Sequence, residues 1–228
     1  MQPVPRARCE WVFRVHAEQP HRDVHHRCDE HGACVFGVQT KRAVRRSRVI
    51  LMVMCGIAGY VGPKNAVDVV FDQLKRLEYR GYDSAGIAYR NNGEIHIVKR
   101  AGKLSELGKL LDQQPLTAHM AIAHSRWATH GGPTDINAHP HYDAFEQVAI
   151  IHNGIIENFQ ELRDELGAKG HVFRSQTDTE VAAHVIGQEY REGVPLEEAV
   201  RIAVKRLRGA YAMVVVSKGP PAPPASGN

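Results

Sequence analysis

Apolar and polar positions alternate along this chain with two different periods, and the switches between them mark out its elements. Gly-Ile-Ala-Gly-Tyr-Val over residues 56–61 reads as a strand, punctuated at its end by Pro63 and Asn65. Val67, Val70, Phe71, Leu74 and Leu77 then share one face of a 3.6-residue repeat, which predicts an amphipathic helix with Asn65 as N-cap, Asp68 in the first turn and Gly81 as the stop. Residues 85–90 and 94–99 read as a hairpin joined through Asn91-Asn92-Gly93. A short helix over 104–111 and a strand of small apolar residues over 118–124 follow. Residues 127–141 are rich in Gly, Pro, His, Asn and Thr and form a loop too long for a mere connection, the kind that carries function.

Beyond that loop the pattern predicts a strand over 148–151 ending at His152-Asn153-Gly154, a helix over 157–166, a brief strand at 172–173 and an amphipathic helix over 178–190. Pro195 opens another helix running to Leu207, and 210–216 is a final strand. Residues 1–54 show no sustained period. The divisions expected are an extension over 1–54, a globular domain over 55–217 and a disordered tail over 218–228, where Pro, Ala, Gly and Ser dominate. Hairpins come early and helices gather late, so the fold class is α+β, a mixed sheet protein with helices packed outside.

Composition changes this picture mainly by its unevenness. The net charge of +4 is concentrated in residues 1–54, which carry ten Lys and Arg against five acids, and the remainder is about neutral. A basic surface for nucleic acid is therefore not expected of the folded part. No run reaches the roughly 18 to 20 apolar residues of a membrane span, so no membrane partner is expected. Cys9, Cys28 and Cys34 lie in the first segment and Cys55 stands alone beyond it, so a disulfide framework is excluded there and the chain reads as cytoplasmic.

Three readings of residues 1–54 stay open: translated sequence upstream of a true start at Met54, a targeting peptide, or a metal site. A transit peptide is poor in acids and rich in Ser, and this segment has five acids and one Ser. His21, His25, His26, Cys28, His31 and Cys34 crowd together, but without the paired spacing of a zinc finger, and no metal is expected.

Met54 directly precedes Cys55, so a chain started there and clipped would begin with Cys55. Such a residue carries a nucleophile and a base on one Cα, because an α-amine titrates near pH 8 and a thiol near 8.5. Four polar clusters then end or interrupt the apolar strands: residues 80–86, 124–131, 137–141 and 152–158.

With that cysteine, the stretches CGIAGYVG, LEYRGYDSAGIA, HSRWATHGGPTDINAHPH, IIHNGIIENFQELRDEL and QTDTEVAAH resemble the glutaminase domain of the glutamine:fructose-6-phosphate amidotransferase family. The resemblance covers residues 55 to about 218. It implies the N-terminal nucleophile hydrolase fold, a four-layer αββα sandwich with the cysteine at the end of a central strand. It implies Cys55 as the nucleophile, with the Asn153 side chain and Gly154 N–H as the oxyanion hole. It places Arg126 on the α-carboxylate of L-glutamine and Asp178 on its α-ammonium, with Trp127, Thr129 and His130 in the same pocket. A guanidinium suits a carboxylate because its fork donates two parallel hydrogen bonds. Arg80 and Gly81 match a loop ordering the cysteine, and His139 a loop residue linked to the second domain. No cofactor is implied. The full-length family enzyme is expected as a homodimer that aminates fructose 6-phosphate in separate isomerase domains.

Two departures bear on this expectation. Cys55 is internal as written, and an amide nitrogen cannot act as a base. The last strand is followed by GPPAPPASGN where the family adds further strands, so the domain reads as C-terminally truncated. The alternatives are a glutaminase domain of the phosphoribosylpyrophosphate amidotransferase or asparagine synthetase type, and an inactive remnant.

Overall fold

A computed structural model describes residues 12–16, 55–113, 116–191 and 194–219; for residues 12–16, 80 and 191 it describes the backbone only. The alternating segments pair into two antiparallel four-stranded sheets. The first is ordered β2-β5-β3-β4, from β2 (Gly56–Val61), β3 (Ser84–Asn91), β4 (Glu94–Ala101) and β5 (Met120–Arg126). The second is ordered β1-β8-β7-β6, from β1 (Val12–His16), β6 (His141–Tyr142), β7 (Val148–Gly154) and β8 (Tyr211–Ser217). The β3–β4 hairpin closes on Asn92 and Gly93 with φ of 50° and 83°, the left-handed pair that a two-residue turn needs to match strand twist.

Because strand side chains point alternately to opposite faces, each sheet has an inner and an outer row. The inner rows meet as one apolar layer: Ile57 and Val61, Ala88, Met120 and Ile122 from one sheet, Ala149, Ile151, Val214 and Val216 from the other. The outer row of the first sheet, including Ala85, Ile87, Tyr89, Ala121 and Ala123, packs under α1 (Ala66–Leu77) and α2 (Leu104–Leu111). The outer row of the second sheet packs under α3 (Phe159–Ala168), α4 (Asp178–Arg191) and α5 (Leu196–Val204) through Val148, Ile150, Met213 and Val215. Helix, sheet, sheet and helix thus stack as the expected αββα sandwich.

The structure departs from the sequence expectations at several points. Asn65 stands before α1, but its carboxamide caps nothing; it donates to Asp68 Oδ2 and to the Leu116 carbonyl and accepts from Ala118 N–H. It ties the helix start to the approach to β5. Residues 172–173 form no strand: Val172 is exposed, and the Phe173 ring stacks on His184, 4.5 Å between centroids. A side-chain stack replaces ladder bonds there. The 195–207 helix ends at Val204. Two strands were not foreseen. β6 is two residues long, below what a pattern can mark. β1 lies in the segment with no period and pairs with β8 from Val12↔Val215 to His16↔Tyr211, on the edge the sequence reading left open. The histidine and cysteine group at 21–34 and the tail from 220 lie outside the described residues.

Candidate active site

The inner rows of the sandwich stop being apolar at one end, and the polar residues that replace them come from neighbouring strands in the same register. Cys55 continues the row of Ile57 on β2, His124 and Arg126 continue that of Ile122 on β5, and Asn153 continues that of Ile151 on β7. Alternation alone therefore sets four polar side chains into the space between the sheets.

The Trp127 N–H donates to Cys55 Sγ at 3.1 Å. Burial pushes the Cys55 thiol up, while the Trp127 N–H and the Arg126 charge pull it down. Asn153 Nδ2 donates to the Cys55 carbonyl at 2.9 Å, which puts the carboxamide directly beside the cysteine. Gly154 follows with φ of +110°, and a Cβ there would sit 2.2 Å from the Ala210 carbonyl oxygen, so no other residue fits.

Arg126 is buried at the end of β5 and donates through Nη2 to the carbonyls of His130 and Gly131. Its Nη1 is buried without a partner among the described residues. Burial lowers its pKa from the ordinary value, opposed by the charges of Asp83, Cys55 and Asp178. Asp178 opens α4, buried; its Oδ2 accepts Ile156 N–H at 3.0 Å and lies 3.9 Å from His130 Nδ1. His130 in turn packs edge-on against Phe159, 4.8 Å between centroids. A buried guanidinium with a spare nitrogen and a buried carboxylate thus lie near one another, linked through His130, the two opposite charges that a zwitterion requires. Trp127, 49% exposed, and Thr129, also exposed, sit on the loop that leaves β5.

The supporting residues divide. Gly81, φ +73°, follows the turn Glu78–Arg80 and leads the chain into Asp83; the Arg80 side chain lies outside the described residues. His139 does not reach the cysteine. It lies behind His124, 4.5 Å between ring centroids, and shares a hydrogen bond with Thr179 Oγ1 at 2.9 Å. His152 Nδ1 meets the same hydroxyl at 3.0 Å, and His141 Nε2 meets Thr177 Oγ1 at 3.1 Å. Burial is the chief cause lowering the pKa of all four imidazoles, to about 3 for His124, so they stand neutral. Among the described residues no group of three or more His, Cys, Asp or Glu is arranged to hold a metal ion, and no helix is long and apolar enough to cross a membrane.

Sequence reasoning missed Asp83, although it lies inside a motif that had been singled out. Its Oδ2 accepts Ala128 N–H at 2.5 Å, its Oδ1 accepts from Ser84 Oγ at 3.0 Å, and its own N–H donates to the Arg126 carbonyl at 2.8 Å. Asp83 thus holds the peptides on either side of Trp127: its backbone N–H bonds the carbonyl of the peptide that presents the Trp127 N–H to the thiol, and its carboxylate takes the N–H of the next one.

Comparison with known proteins agrees with this arrangement. The family described as "Glutamine amidotransferase domain" matches residues 124–220. Among solved structures, glutamine phosphoribosylpyrophosphate amidotransferase from B. subtilis superposes with a TM-score of 0.61 at 25% identity, covering 71% of this chain and 35% of that one. A structure described as the allosteric regulatory enzyme of purine biosynthesis gives 0.62 at 27% identity, with the same coverage. The described residues carry the N-terminal nucleophile hydrolase fold of the class II glutamine amidotransferases, and residues 124–220 match their glutamine amidotransferase domain.

Within that class its sequence is similar to the isomerising glutamine–fructose-6-phosphate aminotransferases. Identity is 56% over 169 residues with the Streptomyces coelicolor protein, covering 74% of this chain and 28% of the relative. It is 57% over 163 residues with that of Pyrococcus horikoshii, covering 72% and 27%, and 57% over 162 residues with that of Thermus thermophilus, covering 71% and 26%. The chain spans just over a quarter of the length of these relatives.

Proposed function

We propose that residues 55–218 hydrolyse L-glutamine through Cys55 and supply ammonia for making glucosamine 6-phosphate from fructose 6-phosphate. The observation that carries the reading is the meeting of Cys55 Sγ, the Asn153 carboxamide, Arg126 and Asp178 at one end of the inter-sheet layer. Arg126 Nη1, buried without a partner among the described residues, suits the α-carboxylate, and Asp178 suits the α-ammonium. The thiolate attacks the side-chain carboxamide carbon. Charge then develops on the carbonyl oxygen, and the second N–H of Asn153 Nδ2 together with Gly154 N–H would receive it. The C–N bond breaks, the proton taken from the thiol leaves with ammonia, and water cleaves the thioester to glutamate. The fructose 6-phosphate acceptor is favoured by the 56 to 57% identity to enzymes of that name, against 25 to 27% to the phosphoribosylpyrophosphate amidotransferase structure and its purine-pathway counterpart. Acceptor chemistry, pairing into a homodimer and the part played by His139 in coupling to a second domain belong to the same proposal.

The base in this scheme is a free α-amine on Cys55, so the active form begins at that residue. Intact mass and the N-terminal peptide of the protein from its native cell, with glutamate release measured on the same sample, test this. A chain starting at Cys55 that releases glutamate, and stops doing so as Cys55→Ser, is expected. A chain retaining Met1 that hydrolyses glutamine equally fast would overturn the free-amine scheme.

A further inference from the structure

The carboxamide of Asn153 has two ends of nearly equal size, and only one of them helps the reaction. A nitrogen toward the substrate offers N–H bonds to the developing oxyanion. An oxygen in its place offers a lone pair and repels it. What selects the orientation can be read from the neighbours. On one side the Cys55 carbonyl lies 2.9 Å from Nδ2, and a carbonyl can only accept, so the nitrogen faces the cysteine. On the other side His124 Nε2 lies 2.6 Å from Oδ1, and an amide oxygen can only accept, so Nε2 carries the imidazole proton. We infer that His124 is the positioning residue of the oxyanion hole: its Nε2–H, donated to Asn153 Oδ1, holds the carboxamide nitrogen toward the nucleophile.

The two partners of Asn153 are not equivalent. The Cys55 carbonyl belongs to the reacting residue and moves with it. His124 is fully buried on β5 in the opposite sheet, and its ring is backed by His139, itself tied to Thr179. The bond therefore crosses between the two sheets, from a strand whose next inward residue is Arg126. One strand thus fixes the carboxylate-binding guanidinium and aims the oxyanion donor, which ties substrate placement to transition-state placement. Burial keeps the ring neutral, and a neutral ring with Nε2–H has a lone pair on Nδ1, so it delivers a single, directional donor.

This inference rests on the glutaminase reading, and the test separates the two. In the full chain labelled with 15N-histidine, two-bond proton–nitrogen spectra report the tautomer directly. His124 is expected as the Nε2–H form from pH 5.5 to 8, and an Nδ1–H form or a protonated ring overturns the inference whether or not the protein turns over. Glutamine hydrolysis by the mature protein gives the second arm. His124→Leu, which removes the donor, is expected to lower kcat roughly 100-fold with KM for glutamine little changed, the size of losing one oxyanion donor. His124→Gln, whose amide N–H reaches a similar point, is expected to recover much of that loss. Alkylation of Cys55 by iodoacetamide needs no oxyanion hole and is expected to proceed at the wild-type rate in both variants. Equal losses in the two variants, a loss confined to KM, or slowed alkylation overturns the inference. Wild-type protein that leaves glutamine intact overturns the glutaminase reading alone, and the tautomer spectrum still decides the role of His124.

Discussion

At the scale of single residues, the thiol of Cys55 is governed by a peptide it does not belong to. The Trp127 N–H is its donor, and Asp83 holds the peptides on both sides of Trp127, donating its own N–H to the Arg126 carbonyl and accepting from Ala128 N–H. Asp83 also acts in the opposite sense, because its negative charge raises the Cys55 pKa while helping to keep Arg126 protonated. Geometry decides the net effect on function, since a misplaced donor gives the thiolate nothing. Asp83→Ala is expected to leave Ala128 N–H without its carboxylate and cost about 1 to 3 kcal/mol of stability. Alkylation of Cys55 followed against pH reads the local consequence. Its midpoint is expected to shift and its plateau rate to change, and a profile superposing on wild type would remove Asp83 from the site.

At the scale of elements, alternation explains both the success and the limit of reading this fold from sequence. Ile122 and His124 share a face of the strand expected over 118–124, and the strands run on past the expected ends, to Arg126 and to Gly154 beyond 151, which carries Arg126 and Asn153 into the same rows as Ile122 and Ile151. Part of the inward row was therefore implicit in the pattern, and the grouping of Cys55, Arg126, Asn153 and Asp178 was expected from the motif resemblance. The partners of Asp83 and His124, Ala128 N–H and the Asn153 carboxamide, are far from them in sequence, and no local period encodes those contacts. The loop over 127–140 shows why. It is fastened by Lys99 on β4, whose Nζ donates to the carbonyls of Ile136 at 3.0 Å, Ala138 at 2.7 Å and Pro140 at 3.1 Å. Asp135 adds a bond to Arg100 and accepts Ala101 N–H. Lys99→Met takes the donor away from three carbonyls, two of them in partly buried contacts. Amide hydrogen exchange of residues 134–142 is expected to speed up well beyond that of β5 and β7, and His139 to lose its fixed place behind His124. Unchanged exchange would assign the loop's order to its packing instead.

At the scale of the whole molecule, two four-stranded sheets share one apolar inner layer, and four buried imidazoles gather near its Cys55 end, His124 facing into the layer and His152, on the opposite face of β7 from Asn153, facing α4. That end is a reservoir of vacancies for protons. His124, His139, His141 and His152 have folded-state pKa values below the ordinary value near 6.5, whereas in the unfolded chain they titrate normally. Below about pH 6.5 the unfolded state binds more protons than the native one, so stability falls as pH drops toward the depressed values and is complete above about 7. The urea midpoint at pH 5.5 is expected to lie below that at pH 7.5, and an equal midpoint would mean the imidazoles are not held neutral. Heat carries the same information in another form. Unfolding near pH 6 must draw protons from the buffer, so the calorimetric enthalpy at one pH and one midpoint temperature should change with the ionisation enthalpy of the buffer chosen, and the slope of that dependence counts the imidazoles the fold keeps dry.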